Sequence, residues 1–449
     1  MKKRISKITL ILAIAVIMIA LCACGGGTHS EAAYNAENST DSPDNAVNMS
    51  IVTASGTMQQ RELCRLGCYE IYKHIDGHGK LFFYDFEKRT ISFVTDKEYA
   101  ADDESNPGWI EDTLGGATPV VAGDSLYVFK LGSFAMPFDD FDGYETYLIK
   151  MDFDGKNRKE IHLGSLQEFD MGQVAFDGSY LYFIVDVHGT EPGVMENYLL
   201  CRANFDTMQL ETLCELGTDN HYSLVSVYEN GLVFQRFVAV GTEPNEYNSM
   251  STVYKSEIVL YSLSDNRFVD TDLTWQNGSL SCVFDKKGNM YYLADGSTRL
   301  CVRDLDSGKT SVVCDDVNTD GLEVESAYIE GRIFDNHIPF YVSTVINKDG
   351  ETQEEHFGYY YDLDTGKIGT VSFDKLDWLE NTGIYIIDET ESEFFVHLGY
   401  KYVSTTKQSE NDSSYSFEEQ IHEYAMISKE DYWNSVPNFE LFEDNVHST

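Results

Sequence analysis

Hydrophobic and polar positions alternate over short distances along this chain. Brief apolar and aromatic runs, such as residues 79–86 (GKLFFYDF), are separated by turns rich in Asp, Gly, Ser and Lys. The i, i+3, i+4 spacing of an amphipathic helix is almost absent. The chain has 29 Tyr and 26 Phe, and aromatic residues favour strands. The pattern therefore predicts an all-β protein.

Similar polar turns recur at seven places. Each turn has a central apolar residue next to Asp, Ser, Asn, Gly or Lys, and it lies between two strand-like runs. The spacing between successive turns is 42 to 67 residues. The central residues are Phe86, Phe153, Phe205, Leu263, Leu305, Leu363 and Ile427.

A second motif precedes most of these turns, so each repeat contains at least four strands. It is a Gly followed by apolar and aromatic residues, at 123–129, 178–184, 231–234, 288–293 and 383–387. Four short strands repeated at this spacing predict one β-propeller of four-stranded antiparallel blades over residues 58–449. We expect seven blades, with six or eight as alternatives. A β-sandwich array would need about twice this spacing.

Two features of the ring follow from this interpretation. The polar insertions are predicted to form loops on the propeller faces. The segment 56–64 is predicted to close the ring by pairing with the last blade. The insertions are 132–146, 188–197, 240–256, 346–356 and 404–419.

The first residues are typical of an exported lipoprotein. Basic residues precede a 14-residue apolar run, Ile8 to Leu21, which is short for a transmembrane helix and typical of a signal peptide. Leu21-Cys22-Ala23-Cys24 resembles a bacterial lipobox. We predict a signal peptide at 1–23, lipidation of Cys24, and a flexible linker over 24–57. The alternatives are a secreted protein cleaved near Ala23 and an uncleaved anchor.

The charge limits the class of partner. The formal net charge is −43, with 75 acidic and 32 basic residues. Such a surface repels nucleic acid and anionic headgroups. The prediction is a protein on the extracytoplasmic side of a cell membrane, held there by its N-terminal lipid, with no nucleic-acid partner.

Two cysteine pairs have the same spacing. Cys201 and Cys214 flank one of the turns, and Cys301 and Cys314 flank another. If each turn is centred midway between its cysteines, the two members face each other on adjacent strands. Because an exported protein permits oxidation, cross-strand disulfides are one interpretation. Buried free thiols are the other.

One stretch matches the beginning of a calcium loop. Asp316, Asn318 and Asp320 alternate and Gly321 follows, as in the pattern D-x-[DN]-x-[DN]-G. Ala327 stands where an EF-hand has Glu, so Glu323 is the candidate for a further ligand. The alternative is a polar turn. The loop is predicted to lie between blades 5 and 6.

The repeats resemble those of known propellers. Asp362, Thr365, Gly366 and Lys367 fit the quinoprotein-like repeat A-x-D-x-x-T-G-K-x-x-W, with Thr370 at the Trp position. The array as a whole, including Met151-Asp152-Phe153-Asp154-Gly155-Lys156-Asn157, looks like that of TolB-type propeller lipoproteins. This resemblance implies a propeller fold and a binding habit.

The sequence thus favours a membrane-anchored binding or assembly module for an envelope protein or a glycan. No nucleophile elbow, phosphate-binding loop or CxxC motif is present, and no catalytic or cofactor-binding residue is assigned. The alternatives are a glycan-active or other propeller enzyme with acidic residues on inter-blade loops, and a structural spacer. Four Trp in loop-like segments either form a ligand platform or pack on the blades.

Overall fold

The structure is a computed structural model of the full chain. It describes residues 49–52, 67–73, 79–94, 106–111, 116–131, 145–164, 167–170, 173–189, 195–228, 231–244, 250–275, 281–285, 287–294, 297–318, 321, 323–329, 331–348, 351–373, 376, 379, 384–408 and 414–446. Cys24, the signal segment and the segment 56–64 lie outside this part. In the described residues no helix has the length and apolar character needed to span a bilayer.

Seven antiparallel blades form a ring, which confirms the predicted seven-bladed β-propeller and makes the alternatives of six and eight blades wrong. Blade 1 contains β2 (Gly67–Lys73), β3 (Gly79–Asp85) and β4 (Thr90–Phe93), with β5 (Trp109–Ile110) beside β3. Blade 2 contains β6 (Ala117–Ala122), β7 (Ser125–Lys130), β8 (Thr146–Met151) and β9 (Lys159–Gly164). Blade 3 contains β10 (Gln167–Phe169), β11 (Val174–Phe176), β12 (Leu181–His188), β13 (Met195–Asn204) and β14 (Gln209–Glu215).

The remaining blades each have four strands. Blade 4 contains β15 (Asn220–Tyr228), β16 (Gly231–Pro244), β17 (Met250–Ser262) and β18 (Arg267–Trp275). Blade 5 contains β19 (Cys282–Phe284), β20 (Asn289–Leu293), β21 (Leu300–Asp304) and β22 (Thr310–Cys314). Blade 6 contains β23 (Val324–Ile329), β24 (His337–Lys348), β25 (Glu351–Asp362) and β26 (Lys367–Val371). Blade 7 contains β27 (Tyr385–Glu389), β28 (Glu393–Gln408), β29 (Ser414–Ser428), the helix α1 (Lys429–Trp433) and β30 (Glu440–Leu441).

The recurring turns have a common local cause. The first Asp or Asn accepts backbone N–H groups two or three residues further on, as Asn204 does from Asp206 and Thr207 at 2.9 and 3.0 Å. Asp85, Asp304 and Asp362 act in the same way. The residue four positions after each of them has positive φ, and in two turns it is Gly308 or Gly366. This geometry explains why Asp or Asn begins these four turns and why Gly occupies the positive-φ position in two of them.

The hydrophobic core consists of clusters between successive blades. One cluster lies at each of the seven blade boundaries. The last of them joins Phe82 and Tyr84 of blade 1 to Phe395 and Met426 of blade 7. Each blade is therefore covered on both faces, and the ring is closed by packing.

The C-terminal chain also closes the ring. The strand β31 (Glu443–Asp444) follows β30 of blade 7 and pairs in parallel with β4 of blade 1. Backbone bonds from Glu443 N to Arg89 O, at 2.8 Å, and from Asn445 N to Ile91 O, at 3.1 Å, extend this pairing. The predicted closure by 56–64 lies outside the described residues and stays a prediction.

Three of the predicted insertion loops are strands instead. Residues 240–256, 346–356 and 404–419 largely continue β16–β17, β24–β25 and β28–β29, whose cross-strand pairing runs to the hairpin ends. The polar composition of these segments predicts loops, but a two-stranded hairpin can form through main-chain pairing without the alternation of apolar and polar residues that a half-buried strand needs.

Candidate functional site

The strand order gives the ring two different faces. In blades 2–7 the chain passes from the first strand to the fourth in order, so all connections between second and third strands emerge at one end. We call this end the hairpin face. Turns between first and second strands, and between third and fourth strands, emerge at the opposite end, which we call the turn face.

Three blades extend well beyond the body of the ring on the hairpin face. In blade 7 the pairing with the flanking strands ends at His397 of β28 and Ala425 of β29, so residues 399–408 and 414–423 form a ribbon of two strands. Blade 4 has a similar ribbon over residues 239–244 and 250–255, and blade 6 has one over residues 345–348 and 351–357. Within the described part of the chain no third strand pairs with these ribbons, and N–H and C=O groups on such edges can pair with another chain.

Large apolar side chains are exposed on these ribbons. Tyr402 of blade 7 is 55% exposed and Tyr254 of blade 4 is 43% exposed. Val240 and Val345 are about half exposed on the blade 4 and blade 6 ribbons. Tyrosine is enriched at protein interfaces because its ring is apolar and its hydroxyl is polar. The hairpin face therefore has the chemistry of a contact surface.

An imidazole pair lies at the base of the blade 7 ribbon. His397 Nε2 and His422 Nδ1 are 2.9 Å apart, and the rings of Tyr385 and Tyr424 flank His397. His397 is 2% exposed, and its Nδ1 has no hydrogen-bond partner among the residues that the structure describes. Burial, and then His422, lower the pKa of His397 to about 4. This imidazole is neutral at ordinary pH and serves as packing beneath the ribbon.

Three carboxylates meet at the hairpin-face end of blade 3. Glu168 lies directly opposite Asp186 on the paired strands β10 and β12, and Tyr198 lies opposite Asp186 on the other side. Burial, followed by Asp170 and Glu168, raises the pKa of Asp186 to about 7. His188 Nε2 is 3.1 Å from Glu168 Oε2. Asp186 can therefore hold a proton near neutral pH.

The central channel contains a strand from the N-terminal part of the chain. β1 (Ser50–Val52) pairs antiparallel with the first strand of blade 3, Ile51 lying opposite Ala175. β1 also contacts β6 and β15, the first strands of the two adjacent blades. Met49 and Ile51 are half-buried against the cluster between blades 3 and 4.

A polar pocket lies at the rim between blades 1 and 2, beside the turn that joins β8 and β9. Its volume is about 490 Å³, and its lining includes Asn106, Trp109, Lys156 and Arg158. The Arg158 guanidinium donates to Trp109 O at 2.7 Å and pairs with Glu160. The pocket therefore combines amide, carboxylate and cationic groups, which suits a hydroxyl-rich ligand.

Of the predicted calcium residues, Asp316, Asn318 and Glu323 lie in the connection between β22 and β23. Asp316 Oδ1 accepts from Thr298 Oγ1 at 2.6 Å and from Asn318 N at 2.9 Å. Asp320 lies outside the described residues, while Gly321 and Glu323 are within them. Among the residues described, no group of three or more His, Cys, Asp or Glu can hold a metal ion. Calcium binding stays a prediction.

The facing register predicted for the cysteine pairs is wrong. Cys201 lies opposite Thr212, and a bulge places Cys214 opposite Leu200. The same bulge recurs in blade 5, where Cys301 lies opposite Val312 and Cys314 opposite Leu300.

The bulge sends the two members of each pair to different sides of their blade. Cys201 packs between blades 2 and 3, whereas Cys214 packs between blades 3 and 4. Cys301 packs between blades 4 and 5, and Cys314 between blades 5 and 6. All four thiols are free in the structure. A one-residue slip reverses side-chain direction, which separates the sulfurs.

The described tryptophans pack on the blades rather than forming a platform. Trp109 and Trp275 are buried. The Trp433 ring stacks on His337 with centroids 4.3 Å apart, and its Nε1 donates to Asp335 at 3.3 Å. Trp378 lies outside the described residues.

Comparison with known proteins shows likeness to solved structures only. No family model and no curated protein matches the chain. TolB from Acinetobacter baumannii is similar over 84% of this chain and 80% of that one, at 13% identity and a TM-score of 0.31. An oligogalacturonate lyase in complex with manganese covers 86% of this chain and 92% of its own, at 10% identity and a TM-score of 0.43. The acylaminoacyl peptidase of Pyrococcus horikoshii is similar over 84% of this chain and 57% of that one, at 10% identity and a TM-score of 0.41. No residue role is transferred from these structures.

Proposed function

We propose that this chain is an extracytoplasmic lipoprotein, anchored through Cys24, whose propeller binds another envelope protein through its hairpin face. The observation that supports this proposal most is the set of three two-stranded ribbons at one end of the ring, with Tyr254 and Tyr402 exposed on them. The ribbon edges, which pair with no third strand among the described residues, offer main-chain hydrogen bonds, and exposed tyrosines offer side-chain anchors.

The negative charge of the chain limits the class of partner that it can attract. With a net charge of −43, attraction favours a partner whose contacting surface is basic. Association should then slow as salt rises, because screening weakens steering. A spacer without a ligand would have no need of exposed aromatic residues on extended ribbons.

Partner capture tests this proposal. The lipoprotein is purified in detergent from its native envelope, and bound proteins are compared with those of Tyr254→Ser/Tyr402→Ser. A matched control, Met208→Ser/Val436→Ser, removes exposed apolar residues at the turn face. We expect the hairpin-face variant to lose the partner at least tenfold and the control to retain it. Equal retention by both variants would contradict the proposal.

Glycan binding is a second candidate, favoured by the rim pocket. Its volume of about 490 Å³ fits one or two sugar rings, and its amide and charged groups can pair with hydroxyls. Binding to an array of bacterial envelope oligosaccharides should fall about tenfold in Arg158→Ala and remain in Arg267→Ala, whose side chain is exposed. An array without any bound glycan would end this candidate.

The enzyme alternative has weaker support. Such an enzyme requires a cluster of carboxylates, which Glu168, Asp170 and Asp186 provide. Asp186 can hold a proton near neutral pH. The lining of the rim pocket includes none of the three. Assigning catalysis to them would require a substrate-sized cavity beside blade 3.

A further inference from the structure

The strand β1 has a definite direction in the channel. Ser50 lies opposite Phe176, the last residue of β11, and Val52 lies opposite Val174, the first. The turn after Phe176 joins the first and second strands of blade 3, so Phe176 is at the turn-face end. The N-terminal end of β1 is therefore also at the turn face.

Side chains hold this strand in place. Met49 and Ile51 alternate and are half-buried against the cluster formed by blades 3 and 4, which includes Ala175 and Leu224. Contacts with β6 and β15 support β1 on both sides of its partner strand. Apolar burial and ladder hydrogen bonds together oppose its release.

We infer that β1 fixes the side of the propeller that faces the membrane. This inference rests on the proposed lipid anchor at Cys24, and it adds the orientation of the binding face. Chain that comes from the anchor meets the ring at the turn-face mouth of the channel. The turn face is thus nearer the membrane on average, and the hairpin face points outwards to a partner from the far side.

The predicted linker between Cys24 and the ring, here called the tether, makes this orientation an average preference rather than a rigid alignment. The 24 residues between Cys24 and Met49 would span about 27 Å root-mean-square if they behave as a flexible coil. Turning the hairpin face to the membrane would require this tether to pass around the ring, which leaves it fewer conformations. The difference is therefore measurable as an average distance.

Energy transfer to the membrane surface tests the orientation. Donor dyes are placed singly, through an unnatural amino acid, at Met208 or Val436 of the turn face and at Tyr254 or Tyr402 of the hairpin face. Acceptor dyes are on lipid headgroups of reconstituted vesicles. We expect at least twofold more transfer from the two turn-face sites. Equal transfer, or more transfer from the hairpin face, would overturn the inference.

A second form of the protein separates this inference from the proposed anchor. The chain from Gly25 onwards is attached through an N-terminal hexahistidine tag to vesicles with nickel-chelating lipids. If the native form fails to join membranes while the tagged form gives the twofold difference, the anchor is wrong and the orientation holds. Rapid hydrogen exchange of the Ser50–Val52 amides in either form would overturn the inference independently.

Discussion

Arg89 of blade 1 donates a 2.5 Å hydrogen bond to the carboxylate of Glu393 in blade 7. The same guanidinium pairs with Glu440 of β30 through Nε at 2.9 Å. These ion pairs lie where the first and last blades meet, next to the parallel pairing of β31 with β4. Ion pairs, main-chain hydrogen bonds and the buried Val446 therefore hold the C-terminal segment against blade 1 and close the ring.

Removal of the C-terminal strands should weaken the closure of the ring and destabilise the protein. Truncation after Asn438 deletes β30, β31 and Val446 and exposes the edge of β4. We expect a loss of about 3 kcal/mol or more in the free energy of unfolding, measured by urea denaturation. Deletion of residues 447–449 is the matched control. If both truncations unfold at the wild-type midpoint, the C-terminal closure does not stabilise the ring.

Gly155 should tolerate a side chain poorly. It has φ +80°, and a Cβ there would lie 2.5 Å from Pro107 O at the rim pocket. Gly217 has a similar φ of +72° with open space around it, so Gly217→Ala measures backbone strain alone. We expect Gly155→Ala to cost about 2–4 kcal/mol and Gly217→Ala about 1 kcal/mol by thermal unfolding. Equal costs would show that the close approach to Pro107 is unimportant.

Asp186 should make stability depend on pH. Its pKa is about 7 in the folded protein and near 3.8 ordinarily, so the folded state binds the proton more tightly. Stability should fall as pH rises from about 4 to 7. Asp186→Asn should abolish this loss and stabilise the protein at pH 8 by about 1–2 kcal/mol, after discounting for partial exposure. The control is Glu196→Gln, exposed on the adjacent strand. Parallel pH profiles for wild type and Asp186→Asn would refute the assignment.

The Arg332–Asp388 pair should be costly to break. Asp388 is buried, and its pKa is raised to about 6 because burial outweighs the neighbouring Arg332. Arg332→Met removes the cationic partner of this carboxylate and leaves only the backbone N–H of Glu389 as its donor among the described residues. We expect a loss of about 2–4 kcal/mol at pH 8 and a smaller loss at pH 5, where the acid is protonated.

The matched control for that variant is an exposed ion pair. Arg299→Met removes the partner of Asp315, and we expect less than about 0.5 kcal/mol at either pH. A loss for Arg332→Met that is the same at pH 5 and pH 8 would mean that side-chain packing, not charge, accounts for it.

The cysteines should be free. Because Cys201 and Cys214 lie on opposite sides of blade 3, alkylation of the unfolded protein without reductant should label both. Cys301 and Cys314 should be labelled equally. Mass spectrometry of the peptides, with and without prior reduction, measures this. Labelling that appears only after reduction would restore the disulfide interpretation.

The repeats could be predicted from the sequence because hydrogen bonds between residues close in the chain determine the conformation of their turns. Asn204, Asp304 and Asp362 organise their turns through hydrogen bonds within a few residues, so the turns recur as short motifs. The blade number followed from those turns. The bulge before Cys214 was not readable, because it inserts one residue without changing the apolar composition of the strand.

Parts of the candidate sites depend on pairing between strands that are distant in the sequence, and these parts could not be predicted either. β1 is three residues long, and its partner lies more than a hundred residues away. Glu168 and Asp186 meet only because β10 pairs with β12. The ribbons could not be predicted as strands either, because their polar residues lack the apolar alternation that marks a half-buried strand.

The most direct test of the central claim, that the hairpin face binds a partner, is site-specific photo-crosslinking in intact cells. A photoreactive amino acid replaces Tyr402 or Tyr254 on the hairpin face, and Met208 or Val436 on the turn face. The account predicts one discrete adduct from both hairpin-face sites and none from the turn-face sites. Adducts from the turn face alone, or no adduct from any site, would contradict it.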